Sequence, residues 1–291
     1  MRETFVAATS ELLDQDPRTA LVLADISAAA FAEAEARHPD RVLNVGIRES
    51  LMVSVAGGLA LTGLRPIAHS YAPFLIERAF EQVKLDFAHQ AASGVLVSIG
   101  ASYDAAQAGR THHSPGDVAL VDSLPHWTIR VPGHPDEVPP LLHDAVVGDD
   151  SVYLRLSTRA NAAPHAAADG ALVPLRTNGK ALVVAVGPML DPVLAATDGL
   201  DVTVAYTNTV RPFDVAGLRA LATDTVVMVE PYLAGTSARI VAGALHDRPH
   251  RTLSLGVSRD DLRRYGTPAE HDPAHGLDPA GIRRSILDFG I

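Results

Sequence analysis

Arg41-Val42-Leu43-Asn44-Val45-Gly46-Ile47-Arg48-Glu49 runs from a short apolar segment, through a glycine, into an apolar stretch over 49–62. The first part is short and β-branched. The second spaces its apolar residues at three and four, as one face of a helix does. A buried strand feeding a helix through a tight turn is the unit of sheets covered on both faces. Upstream, Thr19-Ala20-Leu21-Val22-Leu23-Ala24 follows a helical pattern over 2–15 that Asp16-Pro17 stops. Downstream, apolar runs recur at 65–69, 94–99, 128–131 and 152–156, with helical spacing at 74–91 and 136–147 between them. The pattern lapses into Ala, Pro, His, Asp and Gly over 160–180 and then resumes. Strands are predicted at 181–186, 202–206, 226–230 and 252–255, and helices near 190–196, 216–222, 236–246 and 279–288. The expectation is an α/β chain of two domains, 1–160 and 180–291, joined by a linker over 161–179. Each would be a mostly parallel sheet flanked by helices; one extended α/β domain is the alternative.

Of 291 residues, 47% are hydrophobic and 20% charged, a core-forming composition that excludes disordered and fibrous classes. The formal net charge of −10 argues against a nucleic-acid surface, which needs clustered Lys and Arg. Lys84 and Lys180 are the only lysines, so the basic groups are almost all arginines. Without cysteine there is no disulfide, thiolate metal site or cysteine nucleophile. No basic segment with an apolar core opens the sequence, and no window approaches the ~18 apolar residues of a membrane span. A soluble, cytoplasmic protein that binds neither membrane nor nucleic acid is expected.

No Walker A loop, dinucleotide-binding glycine pattern or nucleophile elbow is present. The conspicuous polar groups instead follow strands, where open α/β sheets bind ligands. They are Asp25-Ile26-Ser27, Asn44 to Glu49, and Thr111-His112-His113 in a loop entered through Gly109. Each also has an ordinary structural explanation. Glu49 suits the positive end of a helix, and Asp25 with Ser27 suits a turn and cap. His112 and His113 suit a solvated pair, and Tyr71 with Phe74 suits a core. No histidine–carboxylate spacing supports a metal site. Glu270-His271-Asp272 with His275, interrupted by Pro273, is expected as a structural or subunit-contact loop.

Together and in this order the segments resemble the transketolase family of thiamine-diphosphate enzymes, specifically its pyrimidine-binding and C-terminal domains. The strings are Leu23-Ala24-Asp25-Ile26-Ser27, Asn44-Val45-Gly46-Ile47-Arg48-Glu49, Ser70-Tyr71-Ala72-Pro73-Phe74 and Gly109-Arg110-Thr111-His112-His113. Arg130-Val131-Pro132, Val152-Tyr153-Leu154-Arg155 and, in the second half, Thr209-Val210-Arg211-Pro212-Phe213-Asp214 continue the match. The resemblance implies that Glu49 is the catalytic glutamate that hydrogen-bonds the cofactor's aminopyrimidine. The apolar start of its helix would favour a protonated carboxyl there. It implies that Phe74 stacks on the pyrimidine beside Tyr71, with Asp25 on the cofactor side. His112 would face the reacting oxygens of the substrate, with Ser27 and Arg110 nearby. Arg155 and Arg2 would bind a substrate phosphate, for which a guanidinium fork is suited.

The family's diphosphate domain carries a Gly-Asp-Gly string that holds Mg²⁺ and the diphosphate. The nearest string here is Gly148-Asp149-Asp150, without the second glycine. By resemblance this is the second subunit of a split transketolase, silent alone. It would share thiamine diphosphate with a partner that binds Mg²⁺, in an α2β2 heterotetramer moving a two-carbon ketol unit between sugar phosphates or sugar-like acceptors. Ala108 and Arg110 depart from the usual Asp-Gly-Pro-Thr-His string, which suits a modified or acidic acceptor. The run from Phe74 to Gln82 is also similar to deoxyxylulose-phosphate synthase. The alternatives are therefore a 2-oxoacid-decarboxylating synthase, a 2-oxoacid dehydrogenase beta subunit, or a non-catalytic paralogue.

Overall fold

The structure, a computed structural model, describes residues 1–165, 170–260 and 263–291. Twelve strands form two sheets among the described residues. In chain order they are β1 (Thr19–Leu23), β2 (Val42–Asn44), β3 (Arg65–Tyr71), β4 (Val95–Ile99), β5 (Trp127–Arg130), β6 (Ser151–Arg155), β7 (Val173–Arg176), β8 (Ala181–Val186), β9 (Val202–Thr207), β10 (Thr209–Arg211), β11 (Thr225–Leu233) and β12 (Arg251–Val257). The first sheet has the order β10-β5-β6-β4-β3-β1-β2 and the second β12-β11-β8-β9-β7. Both are parallel except at one edge, where β10 pairs antiparallel with β5 and β7 with β9. Central strands such as β1, β8 and β9 are buried at every residue, which is why they appear in sequence as unbroken apolar runs.

The sheets are not divided along the chain as sequence spacing predicts. β10 comes from the second half yet closes the edge of the first sheet, with Val210 buried in an apolar cluster that spans both halves. Arg211 reinforces the crossing: its Nη2 donates to Asp122 Oδ2 at 2.9 Å in a largely buried pair. The stretch expected as a linker holds β7, and part of it, 166–169, lies outside the described residues. Glu270 to His275 belongs to the helix Pro268–His275 rather than to a loop. Thr267 and Glu270 form a capping box and Pro268 occupies the first turn, so the helix begins well enough to carry Pro273.

The predicted helix over 74–91 is also different. It divides into π-helical Pro73–Arg78, one α turn Phe80–Gln82 and π-helical Val83–His89. Leu75, Ala79, Val83 and Phe87 are all fully buried. Their spacing of four exceeds the α-helical 3.6, so wider winding is what keeps all four against the core.

Because β1, β2, β3 and β4 run parallel, their carboxyl ends share one edge of the sheet. The loops after them bring together Asp25 and Ser27, the Asn44–Glu49 turn, Tyr71 and Gly100. Among the described residues no helix is long and apolar enough to cross a membrane.

Candidate active site

Glu49 opens the helix Glu49–Leu61 and is only 3% exposed. Its Oε2 accepts from Nη1 of Arg78 at 2.8 Å. The same guanidinium lies 4.3 Å above the centre of the Phe74 ring, one turn earlier. Phe74, Tyr71 and His112 meet edge to face in a three-ring cluster. The ring centres are 6.0 Å apart for Tyr71–Phe74, 5.7 Å for Tyr71–His112 and 5.0 Å for Phe74–His112. Thus three separate segments bring four predicted residues together: a buried carboxyl, two aromatic rings and an imidazole. Gly100 seats Tyr71 here, since a Cβ at this position of positive φ (+72°) would stand 2.2 Å from the Tyr71 ring. Thr111 Oγ1 lies 2.9 Å from Nδ1 of His112 and fixes that ring's orientation.

A second polar line runs beside Tyr71. Arg2 Nε donates to Ser27 Oγ at 3.0 Å, and Ser27 Oγ lies 3.0 Å from Nε2 of His69. Nδ1 of His69 is 2.9 Å from the Val97 carbonyl, which can only accept. The proton is therefore assigned to Nδ1, and the Ser27 hydroxyl donates to Nε2. Ser27 precedes a short 3-10 helix but makes no side-chain cap; its hydroxyl is used in this line instead. Arg2 and Tyr71 both line a cavity of about 370 Å³ with Gly100, Asp104 and Ser157.

His69 is fully buried, and burial lowers its pKa from 6.5 to about 4. It stays neutral in the fold while the unfolded chain takes up a proton. Above pH 6.5 it contributes nothing to the pH dependence; as pH falls from 6.5 toward 4, stability is lost, by about 3 kcal/mol in all. Urea unfolding of the wild type and of His69→Gln across this range checks the sign. The wild type is expected to lose more stability than the variant, and parallel curves would refute the assignment.

Arg155 is not where the sequence reading placed it. It is 1% exposed, with Nε donating to Asp117 Oδ2 at 2.6 Å and Nη2 to Ser102 Oγ at 2.7 Å. Burial alone would lower its pKa, but the Asp117 carboxylate more than offsets that and holds it above the usual value. The guanidinium is a structural ion pair at the base of the His112 loop, with no face left for a phosphate. Arg110 is exposed and lies in a different cleft, toward the C-terminal half. Asp25, also exposed, exchanges hydrogen bonds with Asn44: its N–H donates to Asn44 Oδ1 and its Oδ1 accepts from Nδ2, both at 3.0 Å. Among the described residues no group of three or more His, Asp and Glu is placed to hold a metal ion.

Three contributors escaped the sequence reading. His69 left a faint signal, an imidazole next to the apolar Ile67-Ala68 pair of β3. Arg78, four residues after Phe74, left helical spacing alone. Asp117, 38 residues from Arg155 in sequence, left none.

Comparison with known proteins shows the family and the fold. Residues 1–163 match the transketolase pyrimidine-binding domain. The chain is 50% identical over 294 aligned residues to an uncharacterized 33.6 kDa protein in the fasciation locus of Rhodococcoides fascians, covering 99% of this chain and 94% of that one. It is 33% identical to 1-deoxy-D-xylulose-5-phosphate synthase of Cupriavidus taiwanensis, over 90% of this chain but only 43% of the synthase. The fold superposes on a split-gene transketolase, an inactive beta4 tetramer, with a TM-score of 0.83 and 24% identity. That match covers 99% of this chain and 96% of the other. It also superposes on transketolase from Campylobacter jejuni with a TM-score of 0.81 and 16% identity, spanning 46% of that enzyme.

Proposed function

From a chain that belongs to the transketolase family through its pyrimidine-binding domain, we propose one subunit of a thiamine-diphosphate-dependent transketolase-type transferase. The observation that carries this is the buried Glu49 carboxyl, linked through Arg78 to the Phe74 face of the Tyr71–Phe74–His112 ring cluster at one edge of the sheet. A carboxyl beside an aromatic wall fits the aminopyrimidine of thiamine diphosphate, which needs a hydrogen-bond partner at one edge and a flat apolar face. When bound, that cofactor supplies a stabilised carbanion for breaking and forming bonds next to a carbonyl.

The residues of this chain have distinct tasks. Glu49 hydrogen-bonds the aminopyrimidine nitrogen. Phe74 and Tyr71 orient the ring, and His112 donates hydrogen bonds and moves protons at the substrate oxygens. Arg78 now covers both the Glu49 carboxylate and the Phe74 face, and its side chain is 50% exposed. Rotation of that one side chain into solvent opens both partners at once. Arg2, at the cavity beside Tyr71, and Ser27, which it hydrogen-bonds, serve the substrate, and Asp25 with Asn44 stiffens the cofactor side of the turn.

The diphosphate and Mg²⁺ belong on this reading to a complementary chain, with two copies of each. Two facts support it. Gly148-Asp149-Asp150 caps the helix Val138–Val147, and the Asp150 carbonyl accepts from buried Arg65, so that string is a structural turn. The fold also resembles a split-gene transketolase whose beta4 form is inactive. The reaction is transfer of a two-carbon ketol unit between sugar phosphates or sugar-like acceptors.

The 33% identity to 1-deoxy-D-xylulose-5-phosphate synthase favours a second reading, a synthase that decarboxylates a 2-oxoacid. Titration of thiamine diphosphate and Mg²⁺ into this chain, alone and mixed with a candidate diphosphate-domain chain, tests the subunit role. Tight binding in the mixture only is expected; tight, metal-dependent binding to the chain alone would overturn it. Product analysis separates the reactions, since CO₂ release from pyruvate contradicts pure ketol transfer and supports the synthase.

A further inference from the structure

We propose that the cleft between the His112 loop and the C-terminal half binds a small phosphate-bearing anion, at a site distinct from the ring pocket. The cleft encloses about 270 Å³ and is lined by Arg110, Arg259, Arg263 and Arg264, with His113 beside them. Glu77 and Asp260 also line it, and among the described lining residues arginines outnumber carboxylates. In a chain of net charge −10 this concentration of arginine is not a general property of the surface.

Elsewhere arginines such as Arg155, Arg211 and Arg219 are matched to carboxylates. Among the described residues Arg110, Arg259 and Arg264 make no ion pair. Arg110 and Arg264 each make one long contact to a backbone carbonyl, at 3.4 Å. Three unpaired guanidinium forks around one cavity leave hydrogen-bond donors for a phosphate, which each fork can grip with two parallel N–H groups. The volume sets the size of the ligand. It lies at the lower limit of ordinary small-molecule pockets, enough for a phosphate with a short carbon body and too small for a dinucleotide.

The loop Gly109–His113 is the wall between the two sites. His112 stands edge-on to Phe74, whereas the ring of the next residue, His113, meets His271 of the C-terminal half at 5.3 Å. Gly109 permits the loop's close approach to that half: a Cβ at this position of positive φ (+73°) would stand 2.6 Å from the Tyr265 ring. An anion in the cleft would therefore join Arg110, on the loop that carries His112, to the arginines that follow β12.

Calorimetric titration of inorganic phosphate and of glycerol 2-phosphate into the full chain, without cofactor or partner, tests this site independently of the proposed reaction. Saturable binding of one anion per chain is expected. The double variant Arg259→Ala/Arg264→Ala should weaken it by at least about tenfold; both residues are exposed, so folding is spared. Phe74→Ala, in the ring pocket, should leave it unchanged. Absence of saturation, equal affinity in the double variant, or loss of binding in Phe74→Ala would each overturn the proposal.

Discussion

Glu49→Gln is expected to lower turnover of the proposed two-chain enzyme, once reconstituted, by roughly 10²–10⁴-fold, the range for removal of one positioned acid–base group. The reason is local. Glu49 begins an apolar helix, is 3% exposed and lies beside the ring of Phe74 through the shared Arg78. Glutamine keeps the volume and a hydrogen-bonding head but cannot share a proton. The change should therefore act on the chemical step, with the fold intact. Steady-state kinetics with circular dichroism as a control checks this. A variant with full activity would remove Glu49 from the mechanism, while one that failed to fold would show that the carboxyl is needed for structure.

Asp117→Ala carries the largest expected cost in stability, about 3–5 kcal/mol, because it leaves a buried guanidinium without a counter-charge. Asp117 is fully buried, and its Oδ2 accepts from both Arg155 Nε and the Tyr153 hydroxyl, at 2.6 and 2.7 Å. Removing the carboxylate strands the guanidinium Nε, while the Tyr153 hydroxyl keeps Ser98 Oγ at 2.8 Å. Replacing the pair together, Asp117→Leu with Arg155→Met, is expected to recover much of the loss, since apolar groups of similar size need no partner there. Urea unfolding of the single and double variants gives both numbers. A loss below about 1 kcal/mol in Asp117→Ala would mean that water or another group compensates the charge.

The same pair bears on the site through the chain that it anchors. Arg155 also donates to Ser102, and Ser102 and Ser114 bridge the two ends of the loop that carries His112. The arginine expected to meet a phosphate thus holds the His112 loop from beneath. A strand-end arginine gives the same sequence signal in either role. What separates the roles is whether a carboxylate faces it, and here that carboxylate is 38 residues away.

The sequence by itself determined most of the elements and the sheet edge at which the polar residues gather. Unbroken apolar runs separated by helical spacing require a parallel sheet covered on both faces, and polar residues just after such strands must gather at one edge. Asp25, Ser27, Glu49 and Tyr71 could be located that way because each lies within a few residues of the strand or helix end that positions it. Phe74 and His112 came from the order of the motifs, and the structure brings their rings together. Only the tertiary structure decided the partners. The Glu49–Arg78, Ser27–His69 and Arg155–Asp117 contacts join segments 29 to 42 residues apart, and periodicity carries no information about which distant groups meet. Edge strands escaped for the same reason: β10 crosses to the other sheet because Val210 and Arg211 find a buried core and a carboxylate there. Local patterns in the chain specify what each segment becomes, and packing across the sheet specifies what each side chain does.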